Sequence, residues 1–412
     1  MKTLYMIGAL LLILFTPLTA QNTELQLLRN ELFQADLDVK DAKASRWPTI
    51  ELSITGSWMQ NPPIGPITLS SDQLAPLVGF PPPPVPSYVT VYDGMEPTLY
   101  DFGLSLTQPL FTWGKINAAV KASEAVAAAR YHQLENRKSE MEREIDTRLV
   151  VITQLRQIEQ LLNLQQDLGR ELISLMEQAV QSGLLLDLAR AEAEIELQDI
   201  QLALLETQYT IKTQELDLQR LGEKPNARSR EFDEQGIKEL LELGLDTLLS
   251  FALHPERHAL SALTSLEQAS KEAVKIAKGS MYGKPDFALV VSLGYSGSRF
   301  PFLEKDWYGQ NDYSLTLSVG MKTILFDGGA TYNAVKRAES LTAVAELELR
   351  SAQEQIDSEV RKQYLLLSTL MEKRALQMQK IGTLDRRVAV NQTLFQSGYS
   401  SREQSIEAEM NL

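Results

Sequence analysis

The sequence contains no proline between Pro109 and Pro225, and none after Pro301. Proline lacks a backbone donor and breaks helix interiors, so these two stretches permit helices of unusual length. Within Lys115–Leu221 the residues are mostly Ala, Leu, Glu, Gln, Lys and Arg, all strong helix formers. Leu161, Leu164, Leu168, Leu172, Leu175 and Ala179 are spaced by three and four, and Ala193, Leu197, Ile200 and Leu204 continue that spacing. Such spacing is a coiled-coil packing seam. A helix from Lys115 to Gln181 runs about 100 Å, far longer than a helix in an ordinary domain. Ser182-Gly183 is the expected turn, because glycine accepts the left-handed backbone that ends a helix. The chain then returns from Leu184 to Leu221 antiparallel to its own upstream part.

The long helix is one part of a duplicated unit. Leu110-Phe111-Thr-Trp-Gly114 recurs as Leu325-Phe326-Asp-Gly-Gly329, and Ala119-Val120-Lys121 recurs as Ala334-Val335-Lys336. Gln181-Ser182-Gly183 recurs as Gln396-Ser397-Gly398, and Glu192-Ala193-Glu194 as Glu407-Ala408-Glu409. Every pair is 215 positions apart, so the register holds without a gap over about 90 residues. The first unit is expected over 21–222, with a linker at 223–253 and the second unit over 254–412.

Each unit also carries two alternating segments, expected as strands near 48–58, 99–111, 285–297 and 312–326. Ile50, Leu52 and Ile54 alternate with Thr49, Glu51, Ser53 and Thr55; Tyr100, Phe102, Leu104 and Leu106 alternate with Asp101, Gly103, Ser105 and Thr107. Phe287, Leu289, Val291 and Leu293, then Leu315, Leu317, Val319 and Met321, do the same in the second unit. Alternation of this kind fits a soluble sandwich or a membrane barrel wall with a wet lumen. Helices near 100 Å long favour the barrel, because four isolated strands cannot close a globular core around them, whereas several copies pooling their strands leave no exposed edge. The proline-rich stretch near Pro62–Pro97 reads as an extended loop between barrel strands, with polyproline II binding as the alternative.

The first twenty residues have the form of a secretory signal. Lys2 is followed by an apolar run from Leu4 to Phe15, a break at Pro17 and small residues at Thr19-Ala20. The run is shorter than the roughly 20 residues a spanning helix needs. There is no cysteine, hence no disulfide, no thiolate nucleophile and no lipidated Cys. A net charge of −14 argues against nucleic-acid binding, which needs clustered Lys and Arg. No phosphate loop, nucleophile elbow or His–carboxylate site is present, so no enzyme activity and no cofactor are expected. His254 and His258 are four apart, a spacing that metal sites use, but a surface role beside Pro255 is the better account. Arg137–Arg148, dense in both charges, reads as a solvated helix face.

In sum these motifs resemble the TolC-like outer-membrane efflux family. Gln108-Pro-Leu-Phe-Thr-Trp-Gly114 and Ile324-Leu-Phe-Asp-Gly-Gly329 are similar to the family's motif where a strand hands over to a long helix. Asn22-Thr-Glu-Leu25 and His254-Pro-Glu-Arg257 are similar to its Asn-Pro-Glu-Leu opening, and Gly398-Tyr-Ser-Ser with Glu407-Ala-Glu409 to its second helical tip. The resemblance implies a mainly α fold with β: long antiparallel coiled-coil helices in a trimeric periplasmic α-barrel, joined to a transmembrane β-barrel with four strands per chain. It implies a homotrimer in the outer membrane that meets a periplasmic adaptor and an inner-membrane transporter. Such a channel is a passive exit duct for efflux or type I secretion, and the pump supplies the energy.

Several residues inherit expectations from that resemblance. Pro109, Phe111 and Gly114, with Phe326, Gly328 and Gly329, form the strand-to-helix junctions. Ser182, Gly183 and Leu184, with Ser397, Gly398 and Tyr399, form the helical tips and meet the adaptor. The family places acids six and nine positions after the second tip glycine; here those positions are Gln404 and Glu407, so Glu407 is the candidate for an acidic ring and Gln404 departs from the pattern. Ala189 and Glu192 are the first-unit counterparts, with Asp187 displaced. Helices are expected over 330–396 and 399–412. The offset carries Leu221 to about residue 436, whereas the given sequence stops at Leu412, so the second return helix is expected to be truncated by roughly 25 residues. A periplasmic coiled-coil scaffold, with its strands in a small soluble domain, is the alternative.

Overall fold

The computed structural model describes residues 23–79, 81, 87–223, 233–301 and 312–411. The expected signal, 1–20, and the core of the proline run, 82–86, lie outside the described residues. The chain divides into two units, one of Met1–Ala35, Ala125–Glu267 and Val344–Leu412, the other of Asp36–Glu124 and Gln268–Ala343.

The second of these units contains the sheet. Strands β1 (Thr49–Trp58), β4 (Thr98–Phe111), β5 (Asp286–Gly297) and β6 (Tyr313–Lys322) pair antiparallel in the order β1-β4-β5-β6. The register turns the alternation into continuous rows. Leu52, Leu104, Leu293 and Leu315 lie side by side across all four strands, as do Ile50, Leu106, Val291 and Leu317. A third row is Ile54, Phe102, Tyr295 and Tyr313, whose two tyrosine rings lie 4.6 Å apart. The opposite face carries Ser53, Gly103, Gly294 and Ser314 in one row and Glu51, Ser105, Ser292 and Thr316 in the next. The apolar face is bare at both edge strands, with Ile50 65% and Leu315 75% exposed.

Two details differ from the expected strands. β6 stops at Lys322 rather than continuing to Phe326, because its partner β5 begins at Asp286, opposite Lys322, and later residues have no ladder to join. The segment between β1 and β4 is not wholly extended: β2 (Ile67–Ser70) and β3 (Tyr88–Tyr92) form a separate antiparallel pair, joined through helix α2 (Ser71–Val78). Ser70 and Gln73 close a reciprocal capping box at the start of α2.

The helical unit is built on hairpins. Helix α3 (Lys115–Gln181) and helix α4 (Asp187–Arg220) form the first, and α8 (Ala330–Gln396) with α9 (Arg402–Met410) the second. Both α3 and α8 have 67 residues, and their bounds are 215 positions apart. The seam between α3 and α4 buries Leu149, Ile152 and Leu218, flanked by the Arg148–Asp217 pair at 2.8 Å and the Arg156–Glu215 pair at 2.8 Å. Nearer the tip, α9 lies in the α3/α4 groove, where Leu172, Met176, Ala193, Ile406 and Met410 form one buried cluster. The expected seam residues Leu161 and Leu164 are exposed, and next to them Gln165 Nε2 donates to Met410 O at 2.9 Å.

The remaining helices are α1 (Thr23–Ala44), α5 (Glu234–Leu243), α6 (Leu245–Ala252) and α7 (His258–Gly279). The described part of the linker is thus mostly helical, and Glu234 on α5 accepts from Arg374 on α8 at 2.5 Å. Among the described residues no helix is long and apolar enough to cross a membrane. Leu218 is fully buried, so Leu218→Ala leaves a cavity in the seam and is expected to cost about 2–5 kcal/mol, read as a lowered denaturant midpoint of the helical signal.

Candidate functional site

The two tips end in the same turn. Leu184 N donates to Ala179 O at 2.9 Å and Gly183 N to Val180 O at 3.0 Å; Tyr399 N donates to Leu394 O at 2.8 Å and Gly398 N to Phe395 O at 3.0 Å. These are the paired bonds of the Schellman motif. Its left-handed position is Gly183, with φ of 68°, and Gly398, with φ of 77°. Ser182 Oγ donates to Gln178 O and Ser397 Oγ to Thr393 O, each at 2.8 Å, so both serines back-bond to their own helices. The residue after each glycine stands bare, Leu184 at 83% and Tyr399 at 85% exposure.

Past the second tip, Ser401 caps α9 by accepting from Gln404 N at 3.4 Å, and Ser400 Oγ donates to Gln404 Oε1 at 2.8 Å. Gln404 is therefore part of the cap. Glu407 is exposed one turn further on, beside Gln404 on an open groove that also includes Arg386 and Arg387. A single chain brings one such carboxylate to the site. Glu192, its counterpart, is exposed as well.

The strand-to-helix junctions are built differently from one another. Pro109 and Phe111 belong to β4, whose pairing with β5 slips between them. A proline has no N–H for the ladder, so an irregularity at that point is expected. The first turn then runs through Trp113 (φ 53°) and Gly114 (φ 77°), the second through Gly328 (φ 67°) and Gly329 (φ 93°). Positive φ is costly for a bulky residue. Trp113 is held there by a 2.9 Å bond from its Nε1 to Pro285 O and by Phe111, whose ring centroid is 5.1 Å away. Lys115 Nζ pairs with Asp286 Oδ2 at 2.5 Å.

At the second junction Asp327 does the holding. Its carboxylate accepts from Gly329 N at 3.1 Å, from Thr331 N at 2.9 Å, from Thr331 Oγ1 at 2.6 Å and from the Tyr282 hydroxyl. The Thr331 hydroxyl, and then Tyr282, lower its pKa from 3.8 to about 2. Both junctions therefore bond to one connector, the segment between α7 and β5 that carries Tyr282, Pro285 and, at the start of β5, Asp286. Phe326 is no part of this grip, being 85% exposed.

Trp113, Tyr282 and Asp327 were not among the expected site residues. Trp113 stands where the second unit has Gly328, and that mismatch at one offset was the available signal. The histidines also pair unexpectedly. His258 starts α7 and lies with its Nδ1 3.1 Å from Nδ1 of His132 on α3, while His254 precedes the helix and accepts from Glu256 N at 3.4 Å. His254 and His258 therefore do not share a helix face. Burial, and then the nearby His258, lower the pKa of His132.

Asp327→Asn is expected to lower the thermal midpoint at neutral pH. The native state lowers the Asp327 pKa, so its contribution is complete above about pH 4 and is lost as pH falls toward 2. Denaturation curves of wild type and variant should converge over that window. Gly183→Val forces a β-branched residue into positive φ and is expected to cost at least about 1 kcal/mol, read as faster proteolysis at the tip.

A sequence profile described as "Outer membrane efflux protein" matches residues 16–221 and 252–412. The fold is similar to that of the outer membrane protein VceC from Vibrio cholerae, with 16% identity, a TM-score of 0.70, and coverage of 95% of this chain and 88% of that one. It is similar to the CmeC outer membrane channel of Campylobacter jejuni, with 16% identity, a TM-score of 0.70, and coverage of 95% and 78%. The open state of the MtrE outer membrane channel of Neisseria gonorrhoeae is a more distant likeness, at 12% identity, a TM-score of 0.55, and coverage of 95% and 82%. No protein of curated function matches the sequence significantly. With the profile covering most of its length, the chain belongs to the outer membrane efflux protein family.

Proposed function

We propose that three copies of this chain form an outer-membrane duct through which small molecules or secreted proteins leave the cell. Each copy contributes the four strands β1, β4, β5 and β6 to a twelve-stranded barrel, and the twofold repeat of long helical hairpins lines a periplasmic tunnel. The observation that carries this reading is the two-faced sheet. Its apolar rows are bare at the edge strands, its other face is polar, and among the described residues β1 and β6 each pair on one side only. Lipid outside, water inside and edge-to-edge closure between copies satisfy all three at once.

The tips meet a periplasmic adaptor through Ser182, Gly183, Leu184, Ser397, Gly398 and Tyr399, and an inner-membrane transporter supplies the energy. The bare Leu184 and Tyr399 support that role. Glu407, with Gln404 beside it, faces the narrowed end, where three symmetry-related carboxylates repel one another and attract cations. The chain itself carries no reaction and needs no cofactor.

Purified from outer membranes in detergent, the protein is expected to run as a heat-sensitive trimer and to give discrete conductance steps in planar bilayers. Glu407→Gln should weaken block by divalent cations without abolishing conductance. A water-soluble monomer that leaves bilayers silent would favour a periplasmic scaffold instead.

A further inference from the structure

The inference rests on the trimer reading and concerns which surfaces the copies use near the tips. Within one chain, α9 seats Ile406 and Met410 against Leu172, Met176 and Ala193. An ion pair fixes the register, Arg402 Nε lying 3.0 Å from Glu171 Oε1. The offset of 215 carries the α3/α4 groove onto a second groove, formed by α8 and α9. That second groove is lined by Thr383, Arg386, Arg387, Val390 and Asn391, with Glu407 on α9. Four of these positions correspond to Leu168, Leu172, Leu175 and Met176, which lie in or against the cluster that α9 fills. The second groove stands open in the single chain, with Val390 57% exposed.

The same offset names the occupant. It maps α9 onto α4, so that Arg402, Ile406 and Met410 become Asp187, Ala191 and Ile195. That face of α4 is exposed, Leu188 at 68% and Ile195 at 58%. The ion pair reappears with its signs exchanged: Glu171 becomes Arg386, and Arg402 becomes Asp187. Sizes exchange too, since Leu172 facing Ile406 becomes Arg387 facing Ala191. A longer side chain on one wall thus meets a shorter one on the other.

We propose that α4 of a neighbouring copy docks into the α8/α9 groove and pairs its Asp187 with Arg386. Each chain offers one such face and one such groove, so the contact is head to tail and closes into a ring. Arg386 Nε donates to Gly382 O at 3.1 Å, which leaves its terminal nitrogens for the carboxylate. Asp187 Oδ1 accepts from Arg190 Nε at 2.9 Å, which leaves its second oxygen for a further donor. The exchange of signs also excludes the wrong partner. An α9 helix placed in the second groove would set Arg402 against Arg386, a like-charge clash. Glu407 stays reachable from the lumen, as Glu192 stays exposed although α9 sits on its hairpin.

The chain contains no cysteine, so introduced thiols are unique. The exported chain carrying both Asp187→Cys and Arg386→Cys, treated in detergent with a short bis-maleimide, is expected to give covalent dimers and trimers on denaturing gels. Either substitution alone should leave monomers. The pair Glu171→Cys with Arg402→Cys should link within one chain and give no ladder. A protein that is trimeric by native mass but yields no ladder from the 187/386 pair overturns this surface and leaves the trimer reading intact. A monomeric native mass overturns both. As a second readout, Arg386→Glu should weaken assembly about tenfold or more, and Asp187→Arg in the same chain should restore it. Unchanged assembly in Arg386→Glu would also overturn the pairing.

Discussion

Burial is the constraint from which the rest follows. A sheet with three apolar rows across four strands must cover that face with something. Among the described residues, Leu315, Leu317, Val319 and Met321 on β6 are all at least 66% exposed. Apolar area left in water forfeits about 25 cal/mol per Å², so a face of this size is a strong demand for lipid or protein. The opposite face, with its Ser, Thr and Gly rows, makes no such demand and can face water.

The helical unit solves a different problem. A coiled-coil seam needs a partner along its whole length, and the chain provides partners in sections. Leu149, Ile152 and Leu218 close the α3/α4 seam, while Ile406 and Met410 close the groove nearer the tip. The roots of the long helices are fixed by polar contacts. Trp113 is kept in an unfavourable backbone region by one hydrogen bond and an aromatic neighbour, whereas Gly328 and Gly329 reach similar dihedrals without a steric penalty and leave the grip to Asp327.

Much of this architecture is local and was therefore readable. Absence of proline, the three-and-four spacing and the glycines at 183 and 398 marked the 67-residue helices and their tips. Period-two alternation marked which side chains share a face. What escaped depends on partners distant in sequence. The end of β6 at Lys322 is set by where β5 begins, not by anything in Ile324-Leu325-Phe326. The β2/β3 pair hides in a proline-rich stretch whose composition signals a loop. The cap that Ser400 and Ser401 build with Gln404 is another contact the family pattern did not signal. His258 faces His132, 126 residues away, rather than its near neighbour His254.

The Schellman turns carry one more consequence. Every backbone donor at Ser182–Leu184 and at Ser397–Tyr399 is already spent on the helix it terminates. At these six positions a protein arriving at the tips would find no unsatisfied amide to add a strand to or to anchor a carboxylate. What it finds is side-chain area, an aliphatic knob on one hairpin and an aromatic one on the other. Recognition through these residues would then work by shape and dehydration, with Leu184 and Tyr399 as the side chains a partner would have to accommodate.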